Sequence, residues 1–183
     1  MHSSRLRFFL LLAALVLAGA AAVSCAPQQQ EPGTAPETPE ATQPAEPGGV
    51  TPYSADLAAV EGVTTTASGA STVQIEGDSA TFSVTVQELS DINMAHIHIA
   101  EEPGGSGPPA VWLYPTDAQE PRPIEGVTNG ELASGTFSAS EFVGPLEGMT
   151  MDDLITAIGE GRAYVNVHTA ANPDGEISGF LQQ

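Results

Sequence analysis

Three histidines stand in two short stretches of alternating sequence. His96 and His98 lie two residues apart within residues 95–99, with apolar residues at the positions between and around them, and His168 ends the similar stretch 163–168. Side chains two residues apart on a β-strand project from the same face, so the apolar positions mark the core side and the histidines the opposite face. If the two strands are neighbours, the three imidazoles converge on this non-core face.

Converging imidazoles are suited to binding a transition-metal ion. Zinc, copper, nickel and iron all accept imidazole nitrogen, and three such ligands with an open position resemble a catalytic or transport site. Met94 shares the histidine face and offers a thioether sulfur to copper, while Asn166, Asp174 and Glu176 are candidate second-layer partners of the ligands. The pattern therefore predicts copper or zinc as the candidate cofactor.

A second interpretation of the histidines needs no metal. A His-x-His pair also forms a structural hydrogen-bonding ladder, and His168 precedes a turn at 172–175 in which Pro173 and Gly175 set the backbone. Redox catalysis of the dismutase kind is a remote third interpretation, because it needs further histidines and a cysteine pair, and this chain has four histidines and one cysteine. Metal binding and bracing stay open, and no catalytic residue is predicted.

The elements that position these residues are predicted to be short strands. Alternating runs separated by Gly, Pro, Asn and Asp occur at 53–57, 73–75, 82–86, 95–99, 111–113, 132–137, 163–168 and 177–181. Period-2 runs with turn residues at short spacing are typical of an antiparallel sandwich or barrel. The fold class predicted is therefore all-β and antiparallel.

One segment has helical spacing instead. Its apolar residues fall at i, i+3, i+4 and i+7: Met151, Leu154, Ile155 and Ile158. Thr150 precedes them as a good N-cap, and Gly159 can end the helix. These features predict one short helix across one end of the strands.

The N-terminus has the form of an export signal. Arg5 and Arg7 precede an uninterrupted apolar run at 8–18, and residues 22–24 lead to Cys25, the only cysteine. This junction resembles a lipobox, so residues 1–24 are predicted to be a lipoprotein signal peptide and Cys25 the lipidated residue; ordinary cleavage near 20–22 is the alternative. Residues 25–50 are rich in Pro and Glu and are predicted to form a disordered stalk, which leaves 51–183 as the folded domain.

Charge excludes one class of partner. The chain has four Lys and Arg, all of them arginine, against 23 Asp and Glu. Two arginines leave with the predicted signal peptide, so Arg122 and Arg162 remain. Such a surface repels nucleic acid and anionic lipid head groups, so nucleic-acid binding is excluded.

Three motifs carry a family resemblance. They are Ala95-His96-Ile97-His98-Ile99-Ala100, the Gly-rich turn at 104–107 with Val111 and Leu113 after it, and the tail from Tyr164 to His168 through Asn172-Pro173-Asp174-Gly175-Glu176-Ile177 and Gly179. Together they resemble the CHRD domain, named after chordin, over about residues 53–182. Ser178 stands where the family's tail usually has Arg, and residues 60–66 replace an early Pro-containing motif.

The resemblance implies an immunoglobulin-like β-sandwich, which is loosely similar to the copper/zinc superoxide dismutase sandwich. It also implies a non-catalytic binding domain for an extracellular protein or glycan. Together with the predicted lipidation of Cys25, this predicts a cell-surface lipoprotein held at the extracytoplasmic face of the membrane, at the cell surface or in the periplasm. Trp112 and Tyr114 alternate with apolar residues and form a candidate aromatic platform for such a partner. The alternative is an exported protein that binds copper or zinc through His96, His98 and His168.

Overall fold

A computed structural model describes residues 50–116 and 119–183 of the chain. The predicted signal peptide at 1–24, the lipidated Cys25 and the stalk at 25–50 lie outside the described residues, apart from Val50 at the end of the stalk. Within the described residues, no helix is long and apolar enough to cross a membrane.

Seven antiparallel strands make up most of the described chain. They are β1 (Thr51–Ala59), β2 (Ser68–Glu76), β3 (Ser79–Ile99), β4 (Pro109–Tyr114), β5 (Ile124–Ser138), β6 (Ala163–Thr169) and β7 (Ile177–Phe180). Two 3₁₀ turns, Ala139–Glu141 and Gly144–Leu146, and one α-helix, α1 (Met151–Gly159), lie between β5 and β6. The predicted all-β class with one short helix is confirmed.

The strands form a single hydrogen-bonded sheet that closes on itself. The order is β2-β1-β7-β6-β3-β4, and β2 also pairs with β3, so β1, β2, β3, β6 and β7 make a ring; β5 pairs with β3 outside it. The sheet is therefore closed and barrel-like. Its description as an immunoglobulin-like sandwich stays a prediction.

Strand β3 is shared between two parts of this sheet. Its first part, up to Gln87, pairs with β2, and its last part, from Ile92, pairs with β6 and β4, while β5 follows β3 from Ser79 to Ile92. Between them the pairing register shifts, and Glu88 and Asp91 have φ values of 53° and 52°. Such bulges bend a strand, so β3 turns from one set of neighbours to the other without ending. The predicted runs 82–86 and 95–99 are thus one strand.

The core fills the inside of the closed sheet. The apolar positions that alternate with the histidines are completely buried: Ala95, Ile97, Val165 and Val167. Helix α1 adds Leu154 and Ile158 to this core. Thr150 caps the helix as predicted, because its hydroxyl and amide both bond to the carboxylate of Asp153.

Strand β6 is buried along its whole length, on both faces. One face meets the core, and the other carries Tyr164, Asn166 and His168, which all expose less than a tenth of their surface. This second face therefore exposes little of its side chains to solvent, although Tyr164 and Asn166 also line a surface groove.

Candidate metal centre

Strands β3 and β6 bring the three histidines together. The strands are antiparallel neighbours, with Met94 opposite His168, His96 opposite Asn166 and His98 opposite Tyr164. His168 is thus diagonal to His96 on the shared face, and the centroids of the three imidazole rings lie 5.1–5.5 Å apart. The predicted convergence is confirmed, but the face is buried: His96 is 2%, His98 6% and His168 4% exposed.

The ring nitrogens point at a common centre. His168 Nε2 lies 3.2 Å from His96 Nδ1 and 3.2 Å from His98 Nε2. One nitrogen from each histidine lies within 4.8 Å of the other two. Two nitrogens bound to a tetrahedral ion at about 2.0–2.1 Å are roughly 3.3 Å apart, so two of the three separations already suit a metal ion.

Backbone carbonyls fix the hydrogen on two of the rings. His98 Nδ1 donates to the carbonyl of Gly107 at 2.8 Å, and His168 Nδ1 donates to the carbonyl of Pro173 at 2.9 Å. A neutral imidazole carries one hydrogen, so both Nε2 atoms are left as acceptors. Metal-binding histidines commonly make this bond with the nitrogen that does not touch the ion.

Two acceptors therefore face each other at hydrogen-bond distance. A hydrogen on His96 Nδ1 would serve His168 Nε2, but it would leave His98 Nε2 without a donor. The arrangement is favourable only when a positive charge lies between the nitrogens. That charge is either a proton or a metal ion.

A proton is a poor candidate at neutral pH. Burial, together with the neighbouring His168 and His98, lowers the pKa of His96 to about 3. Burial also lowers the pKa of His98 to about 4, against the opposing effect of the Gly107 carbonyl. The pKa of His168 is lowered as well, chiefly by burial. All three imidazoles are thus neutral and able to coordinate.

These low pKa values predict metal binding that resists acid. Protons compete with a metal for ordinary histidines below about pH 6.5, but here the pKa values of all three ligands are lowered, those of His96 and His98 to about 3 and about 4. We expect the metal dissociation constant to rise much less between pH 8 and pH 5.5 than it would for three ordinary histidines, measured by competition with a chelator whose own pH dependence is known. A loss of 100-fold or more over this interval would contradict the low pKa values.

Aromatic rings enclose the cluster. The ring of Trp112, on β4 opposite His96, meets the His96 ring edge to face with centroids 4.2 Å apart. Tyr164 stacks on His98 with centroids 5.1 Å apart, and its hydroxyl bonds to both the amide and the carbonyl of Gly107 at 3.2 Å. Trp112 is half-buried against a histidine and also lines a surface groove with Phe82 and Phe137, so the aromatic platform of Trp112 and Tyr114 stays a prediction.

The predicted second-layer residues act on the turn after β6. Asn166 donates to the carbonyl of Asp174 at 3.1 Å, and its own Oδ1 is buried without a partner. Glu176 accepts bonds from Thr65, Thr169 and Asn172 at 2.7–2.9 Å. Both residues hold the turn that presents the Pro173 carbonyl to His168.

The direct partners of the imidazoles are the carbonyls of Gly107 and Pro173. The sequence marked both residues as parts of turns, and it offered bracing of the 172–175 turn by His168 as an alternative, but it did not identify their carbonyls as acceptors. Each lies in a turn that follows a histidine-bearing strand, and this position in the sequence could have identified the turn as a partner of the histidines. Met94 is half-buried opposite His168, so its role as a sulfur ligand stays a prediction.

Gly107 has no room for a side chain. A Cβ at this position would collide with the carbonyl oxygen of Ile99, so Gly107→Ala must displace the turn and the carbonyl that receives His98 Nδ1. Loss of such a partner costs about 10- to 100-fold in metal affinity, and we expect that loss in a chelator competition. Gly159→Ala is the control, because a Cβ there meets nothing within 4 Å. Unchanged affinity in Gly107→Ala would show that the turn does not support the site.

Glu176 links the pH dependence of stability to the same turn. Burial raises its pKa, but the hydrogen bonds from Thr65, Thr169 and Asn172 outweigh burial, so the pKa is lowered overall. A lowered carboxyl pKa stabilises the fold above the unfolded value of about 4.3, and this contribution is lost as pH falls through the native pKa.

We therefore expect Glu176→Gln to lower the free energy of unfolding by about 1–3 kcal/mol at pH 7, and by progressively less below about pH 4. Urea denaturation over pH 3–7 measures this difference. Glu76→Gln, at an exposed position of β2, is the matched control. A difference that stays constant down to pH 3 would contradict the role of the charge.

One comparison with known proteins identifies a family. The model of the CHRD domain family matches residues 53–181, which run from β1 past the end of β7 and include all three histidines. No curated protein and no solved structure matches the chain.

Proposed function

The chain belongs to the CHRD domain family, and from this premise we propose that its domain binds one transition-metal ion, copper or zinc, through His96, His98 and His168. The observation that carries the proposal is the pair of Nε2 atoms of His98 and His168, both acceptors, 3.2 Å apart. Their Nδ1 hydrogens are committed to backbone carbonyls. Only a cation between them makes the arrangement favourable.

The proposed role of the site is to hold the ion, not to turn over a substrate. All three ligands are at most 6% exposed, and rings of Trp112 and Tyr164 pack against two of them. A substrate has little access to an ion in such a place. Storage, transfer or stabilisation of the domain fits this geometry better than redox catalysis does.

Metal analysis of the protein purified from its native membrane tests this function. We expect about one equivalent of copper or zinc per chain, kept through gel filtration, and a mass in native mass spectrometry that exceeds the metal-free chain by one ion. Protein that carries no stoichiometric metal, and takes none up when copper and zinc are supplied, would overturn the proposal.

Family membership favours a second role beside the first, that of a non-catalytic binding domain. An open groove of about 430 Å³ is lined in part by Tyr164, whose ring stacks on His98, and by Asn166, Ser178 and Phe180; the three histidines do not line it. Its mixture of aromatic rings and polar groups suits a glycan or a protein loop. Cross-linking on intact cells should capture a partner through this groove. Ser178→Trp places a large side chain in the groove and should abolish the capture; the same capture with this variant would contradict binding at the groove.

We also propose that the domain is displayed outside the membrane as a lipoprotein. The support is sequence alone: the apolar run at 8–18, the junction at 22–24 before Cys25, and the Pro-rich residues that follow. Mass spectrometry of the membrane fraction should find a mature N-terminus at diacylated Cys25. A mature chain that begins elsewhere, without lipid, would contradict this.

A further inference from the structure

The three ligands of the proposed site are electrically neutral. His98 and His168 donate their Nδ1 hydrogens to backbone carbonyls and not to carboxylates, so neither ring is drawn towards the anionic form. Among the described residues, the group that could hold a metal ion consists of the three histidines and includes no Cys, Asp or Glu. An ion bound here therefore keeps its whole formal charge.

Burial makes that charge expensive. The ligands are 2%, 6% and 4% exposed, so the ion lies away from bulk water. The solvation energy that an ion loses on burial grows with the square of its charge, so a divalent ion loses about four times as much as a monovalent one of the same size. The acidic side chains within six residues of a ligand in sequence are all exposed, so solvent weakens their effect on the buried ion: Asp91, Glu101, Glu102 and Asp174.

Coordination number points in the same direction. Zinc in proteins is almost always four-coordinate, and Cu(II) favours square or tetragonal sites. Here three nitrogens meet, and Trp112 and Tyr164 pack against two of the three ligand rings. Met94 is half-buried opposite His168, and its sulfur is not counted among the three ligands.

We infer that the ion is monovalent copper, held by His96 Nδ1, His98 Nε2 and His168 Nε2 in a three-coordinate site. This inference rests on the proposed function and sharpens it, because it names the oxidation state and the ligand number. No electron transfer is part of it: the protein takes up copper that is already reduced.

A competition experiment on the metal-free full chain tests the inference. Cu(I) is titrated under anaerobic conditions with ascorbate against bathocuproine disulfonate, and Zn(II) and Cu(II) are titrated against chelators of known affinity at the same pH. We expect Cu(I) to be bound at least about 100-fold more tightly than either divalent ion, against the usual order in which Cu(II) leads the divalent metals. X-ray absorption of the Cu(I) protein should find three nitrogen ligands and no fourth nitrogen or oxygen.

Each outcome is decisive. Zinc or Cu(II) bound as tightly as Cu(I), or a four-coordinate Cu(I) spectrum with an added water, would overturn the monovalent three-coordinate assignment and leave the proposed metal-binding function standing. Failure of all three ions to bind more tightly than micromolar would overturn the proposed function itself. Loss of Cu(I) binding in His98→Ala, with unchanged circular dichroism, would assign the binding to this cluster.

Discussion

Replacing His168 with alanine is expected to weaken metal binding at least about 100-fold, since even the hydrogen-bond partners of metal ligands contribute about 10- to 100-fold. His168 Nε2 lies 3.2 Å from each of the other two ligand atoms, so its removal leaves His96 and His98 with no shared neighbour. We expect losses of similar size for His96→Ala and His98→Ala. The measurement is a chelator competition on each purified variant.

Two controls separate loss of a ligand from loss of the fold. Gln87→Ala changes an exposed residue of β3, the strand that carries His96 and His98, and should bind metal as the natural protein does. Circular dichroism of each histidine variant should show the same strand content as the natural protein. A histidine variant that is folded and keeps its metal affinity would mean that the cluster only braces the sheet.

Removal of the metal is expected to lower the midpoint of thermal unfolding by roughly 10–20 °C. An ion that binds the native state and is present at 1,000 times its dissociation constant adds about 4 kcal/mol to the free energy of unfolding. The ion would also relieve the repulsion between the facing acceptors of His98 and His168. Calorimetric scans with and without excess chelator measure the difference.

The double variant His96→Ala/His168→Ala is the matched control for this effect. Its unfolding midpoint should not respond to either metal or chelator, because two of the three ligand atoms are gone. Equal midpoints for the natural protein with and without metal would contradict a site that is coupled to folding. A metal response that persists in the double variant would place the ion elsewhere.

Much of the fold followed from alternation in the sequence. The alternating runs at 53–57, 163–168 and 177–181 correspond to β1, β6 and β7, because each is a short strand with one face towards the core. The helix was also predicted at its observed N-terminus, since Thr150 caps it locally. Such features depend on neighbours within a few residues, so they are visible without the tertiary structure.

The closure of the sheet was not predictable in the same way. The inward residues of β3 lie at even numbers up to Val86, then at Leu89 and Ile92, and at odd numbers from Ala95, and these irregular spacings are the trace that the bulges leave in the sequence. The sequence pattern within any one strand does not predict that β2 and β6 both pair with β3. These pairings depend on contacts between distant residues, as in Ala95 with Val167.

The candidate site was predicted in its ligands but not in its surroundings. His-x-His on one strand and His168 on another gave the common face, and the register of β3 with β6 was needed to make them meet. Burial of that face depends on the turns that carry Gly107 and Pro173. The spacing of residues in the sequence does not predict how such turns pack against the strands.

Isothermal titration of the metal-free protein tests the central claim most directly. The account predicts one binding event with a stoichiometry of one ion per chain and a dissociation constant well below micromolar, for Cu(I) under reducing conditions. The same titration of His96→Ala/His168→Ala should give no such event. Absence of binding tighter than about micromolar in the natural protein, or equal binding in the double variant, would contradict the three-histidine metal site.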